Sequence, residues 1–253
     1  GDKQYTENFW NTVNPLRLPG TTVVPVNIGT GKPDSSGYAQ GGDFLGTESW
    51  VGGSSIGNYG ISGMAFTGKN RGIAGDASVT YAPKLKGKKS WFMFDNEIVC
   101  LGAGITNEGM DLPVETTIEN KKLNKDGENR FVVDGETENL PVKEADIKEL
   151  VDRSADVSGT VFDQVRWAHL EGNETSGTGY YFPMENTEIQ ARRGKTTGNW
   201  SDVGTFEGES TENYLELWID HGKNPKNADY SYVLLPEKTA EETEEAAAEE
   251  TAE

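Results

Sequence analysis

Apolar positions in this chain come in short runs, and few are long enough for a helix. The densest run is KKSWFMFDNEIVCLGAG, Lys88–Gly104. It reads as two strands, Ser90–Phe94 and Glu97–Leu101, joined through Asp95-Asn96. The apolar load is too continuous for half-wet strands, so at least one of the two is expected to be buried on both faces. An Asp-Asn pair tolerates the positive φ of a tight hairpin. Further strands are read at Glu115–Leu123, Val161–Leu170, Gly179–Pro183, Glu188–Arg192, Tyr214–Asp220 and Tyr230–Leu235. Asn129–Val133 and Thr137–Leu140 flank Asp134-Gly135, a strong hairpin signal. Only Val142–Val151 has helical spacing inside the body. Pro15, Pro19 and Pro25 make the first stretch extended and loop-like. Residues 29–75, rich in Gly, Ser, Asn and Asp, read as edge strands and long loops around Trp50-Val51 and Ile61–Phe66. About a dozen strands with dispersed turns predict an all-β chain built as a large antiparallel β-sandwich.

Length and charge refine this picture. The 253 residues suffice for one large all-β domain. Residues 1–236 are assigned to the sandwich and 237–253 to an acidic tail or linker, helical or disordered. That tail has eight Glu against one Lys and supplies −7 of the formal −19. The acidic body disfavours nucleic acid, whose phosphates need a basic footprint. No apolar run has transmembrane length, so no membrane partner is expected. No secretory leader stands at Gly1, and the chain reads as trimmed or excised. Cys100, the only cysteine, sits in an apolar strand and reads as a small buried hydrophobe.

Candidate chemistry is sparse. Gly53–Gly57 matches G-x-S-x-G, but no buried strand precedes it and Asn58, Gly60 and Gly63 argue against a following helix, so a serine nucleophile is not expected. His221 ends a strand and reads as a turn histidine; His169 has no catalytic partner nearby in sequence. Asp95, Asn96 and Glu97 offer three consecutive oxygen donors of the kind calcium takes, in a spacing unlike an EF-hand. Arg192-Arg193-Gly194-Lys195 is the strongest basic cluster. It reads either as a grip on an acidic sugar or as a solvated loop.

Three blocks, in order, resemble polysaccharide lyase family 8, the lyases of hyaluronan, chondroitin and xanthan. They are YTENFWNTVNPLRLPGTTV (Tyr5–Val23), KKSWFMFDNEIVCLGAGI (Lys88–Ile105, with ETTIENKKL following) and YLELWIDHGKNPKNADYSYVLLP (Tyr214–Pro236). The resemblance covers nearly the whole chain apart from the acidic tail. It implies the central super-sandwich domain alone, with an N-terminal α-helical toroid and a C-terminal β domain as partners in the parent enzyme. The family's catalytic Asn, His, Tyr and Arg lie in the toroid, so no catalytic residue is expected here and this segment alone should be inactive. In the family mechanism a Tyr moves the proton of a β-elimination at a uronic acid whose carboxylate is neutralised nearby. Asn14 matches a position that faces substrate in relatives, and Trp10 offers a stacking face for a sugar. Xanthan-cleaving members hold an acidic mannose substituent with a β-domain Arg; Arg192 falls at that place, with Arg193 as the alternative. The same members place a structural calcium at the acidic hairpin turn, where Asn96 here replaces a common Asp. No cofactor is required for the chemistry. A secreted or cell-surface bacterial enzyme acting on an acidic polysaccharide is the implied setting. The alternative is a non-catalytic carbohydrate-binding or structural module.

Overall fold

The computed structural model describes residues 7–25, 48–68, 85–108, 111 and 113–249. The loops expected over residues 29–47 and 69–75, and Tyr5 of the first block, lie outside the described residues. Two sheets pack face to face. Sheet A runs β1 (Thr22–Val23), β6 (Pro113–Lys122), β14 (Glu209–Lys223), β13 (Ile189–Asn199) and β10 (Thr160–Phe162), with β9 (Val142–Asp146) also on β13. Sheet B runs β2 (Val51–Ile56), β3 (Tyr59–Gly68), β4 (Leu85–Met93), β5 (Ile98–Thr106), β15 (Ala228–Pro236), β12 (Thr178–Tyr181), β11 (Trp167–Leu170), β7 (Phe131–Val133) and β8 (Glu136–Thr137). All pairings are antiparallel except β9 with β13.

The core lies between the sheets. Alternate side chains of β14, Leu215, Leu217 and Ile219, meet Ile118, Ile189 and Ala191 of sheet A and Ile105, Leu170 and Tyr180 of sheet B. Burying each large apolar side chain contributes about 1.5–3 kcal/mol relative to leaving it in water. The other β14 face carries Tyr214, Glu216 and Trp218, which are equally buried, so something covers sheet A from outside.

Several sequence expectations need correction. The Ser90–Leu101 hairpin forms as β4 and β5, closed by Phe94 N–H to Glu97 O at 2.9 Å. Neither Asp95 nor Asn96 takes a positive φ. Such a turn needs no left-handed residue. Neither strand is buried on both faces: Met93 and Phe94 are exposed, because nothing among the described residues covers this half of sheet B. Asp134 and Gly135 do take positive φ, 45° and 89°, and turn β7 into β8 as read. Val161–Leu170 is two strands, not one. Gln164 is left-handed, and the chain crosses there from β10 in sheet A to β11 in sheet B. Val142–Val151 is half strand and half helix. Val142–Asp146 pairs with β13, and α2 (Ile147–Asp152) begins where Asp146 accepts from Lys148 N–H and Glu149 accepts from Asp146 N–H.

Among the described residues the acidic tail carries a helix. Helix α3 (Ala240–Glu249) starts in a capping box formed by Thr239 and Glu242. It lies on sheet B, burying Ala240, Thr243 and Ala247 against Trp167, Tyr181, Val233 and Leu235. Small residues make that docking close: a Cβ on Gly179 would sit 2.2 Å from the Thr243 hydroxyl.

Candidate functional site

The cover over sheet A is the leading segment, residues 7–25. One turn of helix, α1 (Phe9–Thr12), opens after Glu7 and Asn8, both left-handed. Phe9 and Val13 pack on Tyr214, whose hydroxyl pairs with Thr12 Oγ1 at 2.8 Å. Asn11 Nδ2 donates to Gly198 O and Ser210 Oγ. The prolines then carry the chain along the sheet as extended turns. Gly20 N–H reaches Thr117 O at 2.8 Å, and Lys89 Nζ from sheet B reaches Gly20 O at 2.6 Å. Burial pushes the Lys89 ammonium down to about 8.

Beneath the segment lies a buried ion network. Arg17 donates to Glu115 through Nε (2.7 Å) and Nη2 (3.0 Å), and to Glu216 through Nη1 (2.7 Å). Arg192 Nη1 donates to the other Glu216 oxygen at 2.9 Å. The Arg17 guanidinium also lies 3.5 Å over the Trp218 ring. Burial alone would lower the Arg17 pKa, but the charges of Glu216 and Glu115 outweigh it and hold the group raised. The register explains the assembly: Arg192 stands directly opposite Glu216 on neighbouring strands. Two arginines and two glutamates balance, which such burial requires.

This geometry reassigns the expected sugar-binding arginines. Arg192 is 2% exposed and fully engaged by Glu216 and the carbonyls of Asp156 and Lys143. Arg193 points to the opposite face of β13 and donates to the Gly127 and Asn129 carbonyls, its pKa lowered by burial. Neither presents a free fork to a substrate carboxylate, so both are interior fasteners. Asn14 is 3% exposed. Its Oδ1 accepts from Leu16 N–H, and its Nδ2 lies 3.4 Å from Glu216, at the floor of a narrow crevice bounded by Leu16, Pro25, Leu150 and Val157. Trp10 differs: the residue is 57% exposed, its ring edge-on to Phe9 at 5.1 Å. Arg17 escaped the sequence reading. No local signal could have found it, because its partners Glu115 and Glu216 are distant in the chain.

The titratable groups that resemble acid–base machinery are committed elsewhere. His221 Nε2 pairs with Thr116 Oγ1 at 2.8 Å, and Thr116 pairs in turn with Thr22. Burial pushes the His221 imidazole down to about 4. His169 pairs with the Lys238 carbonyl, and burial lowers it too. Tyr180, Tyr214, Tyr230 and Tyr232 are buried and raised by desolvation. Cys100 is buried, its thiol pushed up to about 11, which suits an inert core residue. At the hairpin tip, Asp95 Oδ2 accepts from Tyr59 at 3.1 Å. Asp95 and Glu97 belong to no cluster of three or more His, Cys, Asp or Glu side chains among the described residues. Calcium takes six to eight oxygens, so oxygens beyond those of Asp95, Asn96 and Glu97 would be needed to complete its shell.

A two-sheet antiparallel sandwich, with its outer face clamped by a leading segment, defines the architectural class. The model of polysaccharide lyase family 8, super-sandwich domain, matches residues 1–247. The xanthan lyase of Bacillus sp. (strain GL1) is 38% identical over 244 residues, covering 94% of this chain and 22% of the relative. The hyaluronate lyase of Thermasporomyces composti is 34% identical over 248 residues, covering 96% and 26%. The solved Paenibacillus xanthan lyase superposes with TM-score 0.74 at 34% identity, over 97% of this chain and 21% of that one. The chain therefore belongs to polysaccharide lyase family 8. It spans roughly a fifth to a quarter of these relatives' length, and the match includes most of α3.

Proposed function

We propose that this chain is the β wall of a lyase that cleaves an acidic polysaccharide, of the xanthan, hyaluronan or chondroitin type, by β-elimination. It shapes one side of the substrate groove and supports a helical domain that holds the proton-moving groups. The observation that carries the reading is the clamped leading segment. Four buried charges fix residues 7–25 on sheet A, and the segment turns one large aromatic, Trp10, outward. A rigid backbone under an exposed indole is what a sugar-stacking subsite requires. Asn14 contributes by orienting Glu216 from within. Its proposed role is positioning, not contact. Secretion to the bacterial surface or medium follows as part of the same proposal, since polysaccharides of this size are met outside the cell.

The test is turnover. The chain alone, mixed with xanthan, hyaluronan or chondroitin, produces no unsaturated uronate by ultraviolet absorbance. Joined to the helical domain of a relative, it produces turnover that falls about tenfold in Trp10→Ala, a loss of ~1.4 kcal/mol of transition-state binding. Turnover by the chain alone overturns the proposal.

A further inference from the structure

Strand registers place Ser54, Ile61, Phe92, Val99, Val233, Tyr181 and Trp167 in one row across sheet B, each opposite the next. All stand on the outer face, away from the core. Helix α3 covers one end of the row: Val233, Tyr181 and Trp167 are buried beneath it and Val99 leans on its margin. Nothing among the described residues covers the other end. Ile61 is 44% exposed, and Tyr59 (48%) and Phe94 (45%) share its face, ring to ring at 6.1 Å. Trp50, 57% exposed, lies across Gly63, where a Cβ would come within 2.9 Å of the indole. Glycine at 63 thus lets the ring rest on the sheet.

The same face carries Lys86 and Lys88, both exposed, on alternate positions of β4 with Phe92 and Phe94. From Lys86 to Phe94 the strand runs about 27 Å. Aromatic and aliphatic side chains therefore line one end, an ammonium pair the other, in a chain of formal charge −19. Exposed aromatic side chains gathered on one face of the described residues point to a binding face. A second helix does not fit it as α3 fits its own site. There Gly179 clears a path, whereas here Trp50 stands across the sheet. A glycan does fit: sugar rings lie on the aromatic faces, and their carboxylates meet the ammoniums.

We propose that the open half of the sheet B outer face, Trp50, Tyr59, Ile61 and Phe94 with Lys86 and Lys88, is a glycan-holding surface for a stretch of uronate-bearing polysaccharide. The choice of acidic glycan rests on the proposed function. The surface itself is read from the register and the exposures. The experiment is affinity electrophoresis of the whole chain in gels containing hyaluronan, xanthan, or carboxyl-reduced hyaluronan as the neutral probe. The chain is retarded by the two acidic polymers and about tenfold less by the neutral one. Lys86→Glu/Lys88→Glu and Trp50→Ala/Tyr59→Ala each weaken the retardation about tenfold. The lysine pair is solvent-facing, so its variant keeps the fold, as a melting curve checks. Retardation unchanged in both double variants, or equal on the neutral polymer, overturns the inference. If retardation survives both but disappears in Trp10→Ala, the inference falls and the proposed function stands. No retardation of the native chain also overturns this inference, while the proposed function is still decided by turnover.

Discussion

Each sheet has an outer face, and the two are covered by opposite chemistry. Over sheet A, the leading segment is fastened by buried charge: Arg17 and Arg192 against Glu115 and Glu216, with Trp218 beneath. Over half of sheet B, α3 is fastened by smallness: Ala240, Thr243 and Ala247 settle where Gly179 leaves room. A charged clasp fixes one geometry, because any other arrangement strands an ion away from water. A small-residue contact adds dispersion and apolar burial but little orientation. The face that carries Trp10 has the clasp. The other has the simpler packing and stops halfway across its sheet.

Substitutions should separate the two covers by size of effect. Arg17→Met leaves Glu115 buried without its arginine and Glu216 with Arg192 alone, and should lower unfolding free energy by about 3–5 kcal/mol in urea titration. A loss under about 1 kcal/mol would mean that the clasp is not the fastener. On sheet B, Gly179→Ala pushes a methyl into Thr243 and should cost about 1–3 kcal/mol. Its signature is loss of α3 helicity by circular dichroism with the leading segment intact. If both covers loosen together, they are not independent.

Acid should act on the leading segment through His221, which reaches Thr22 by way of Thr116. The folded state holds its pKa near 4, below the ordinary 6.5, so the unfolded chain binds the proton more readily. Stability then falls as pH drops from 6.5 to about 4, by at most about 1.4 kcal/mol per pH unit. His221→Gln should flatten that difference, and parallel pH curves for the two proteins would contradict the assignment. The smallest effect belongs to the α3 cap. Thr239→Ala removes one side-chain bond and should cost about 1 kcal/mol, read as fraying of the helix in amide exchange.

What the sequence disclosed depended on how local the cause was. Asp134-Gly135 declares its own turn, and the β4–β5 hairpin follows from two adjacent apolar runs. The break at Gln164 could not be seen, because each half of Val161–Leu170 pairs with strands distant in the chain. α3 looked too polar to order, since its apolar stripe is mostly alanine and its docking site is a glycine 61 residues earlier. The arginine pair was found by composition and misread by context. Charge clustering was visible, but the partner Glu216 is set by cross-strand register. In YLELWID, Glu216 shares a face with Tyr214 and Trp218, so a buried carboxylate there was already a request for a cation.

The most direct test of the clasp is amide hydrogen exchange along the leading segment. In the native chain Gly20 and Thr117, bonded across the joint to Thr117 O and Thr21 O, should exchange only with global unfolding. In Arg17→Met, Gly20 should lose that protection while the sheet B amides of Tyr180 and Val233 keep theirs. Rapid exchange at Gly20 in the native chain, or full protection in the variant, would contradict a segment held by buried charge.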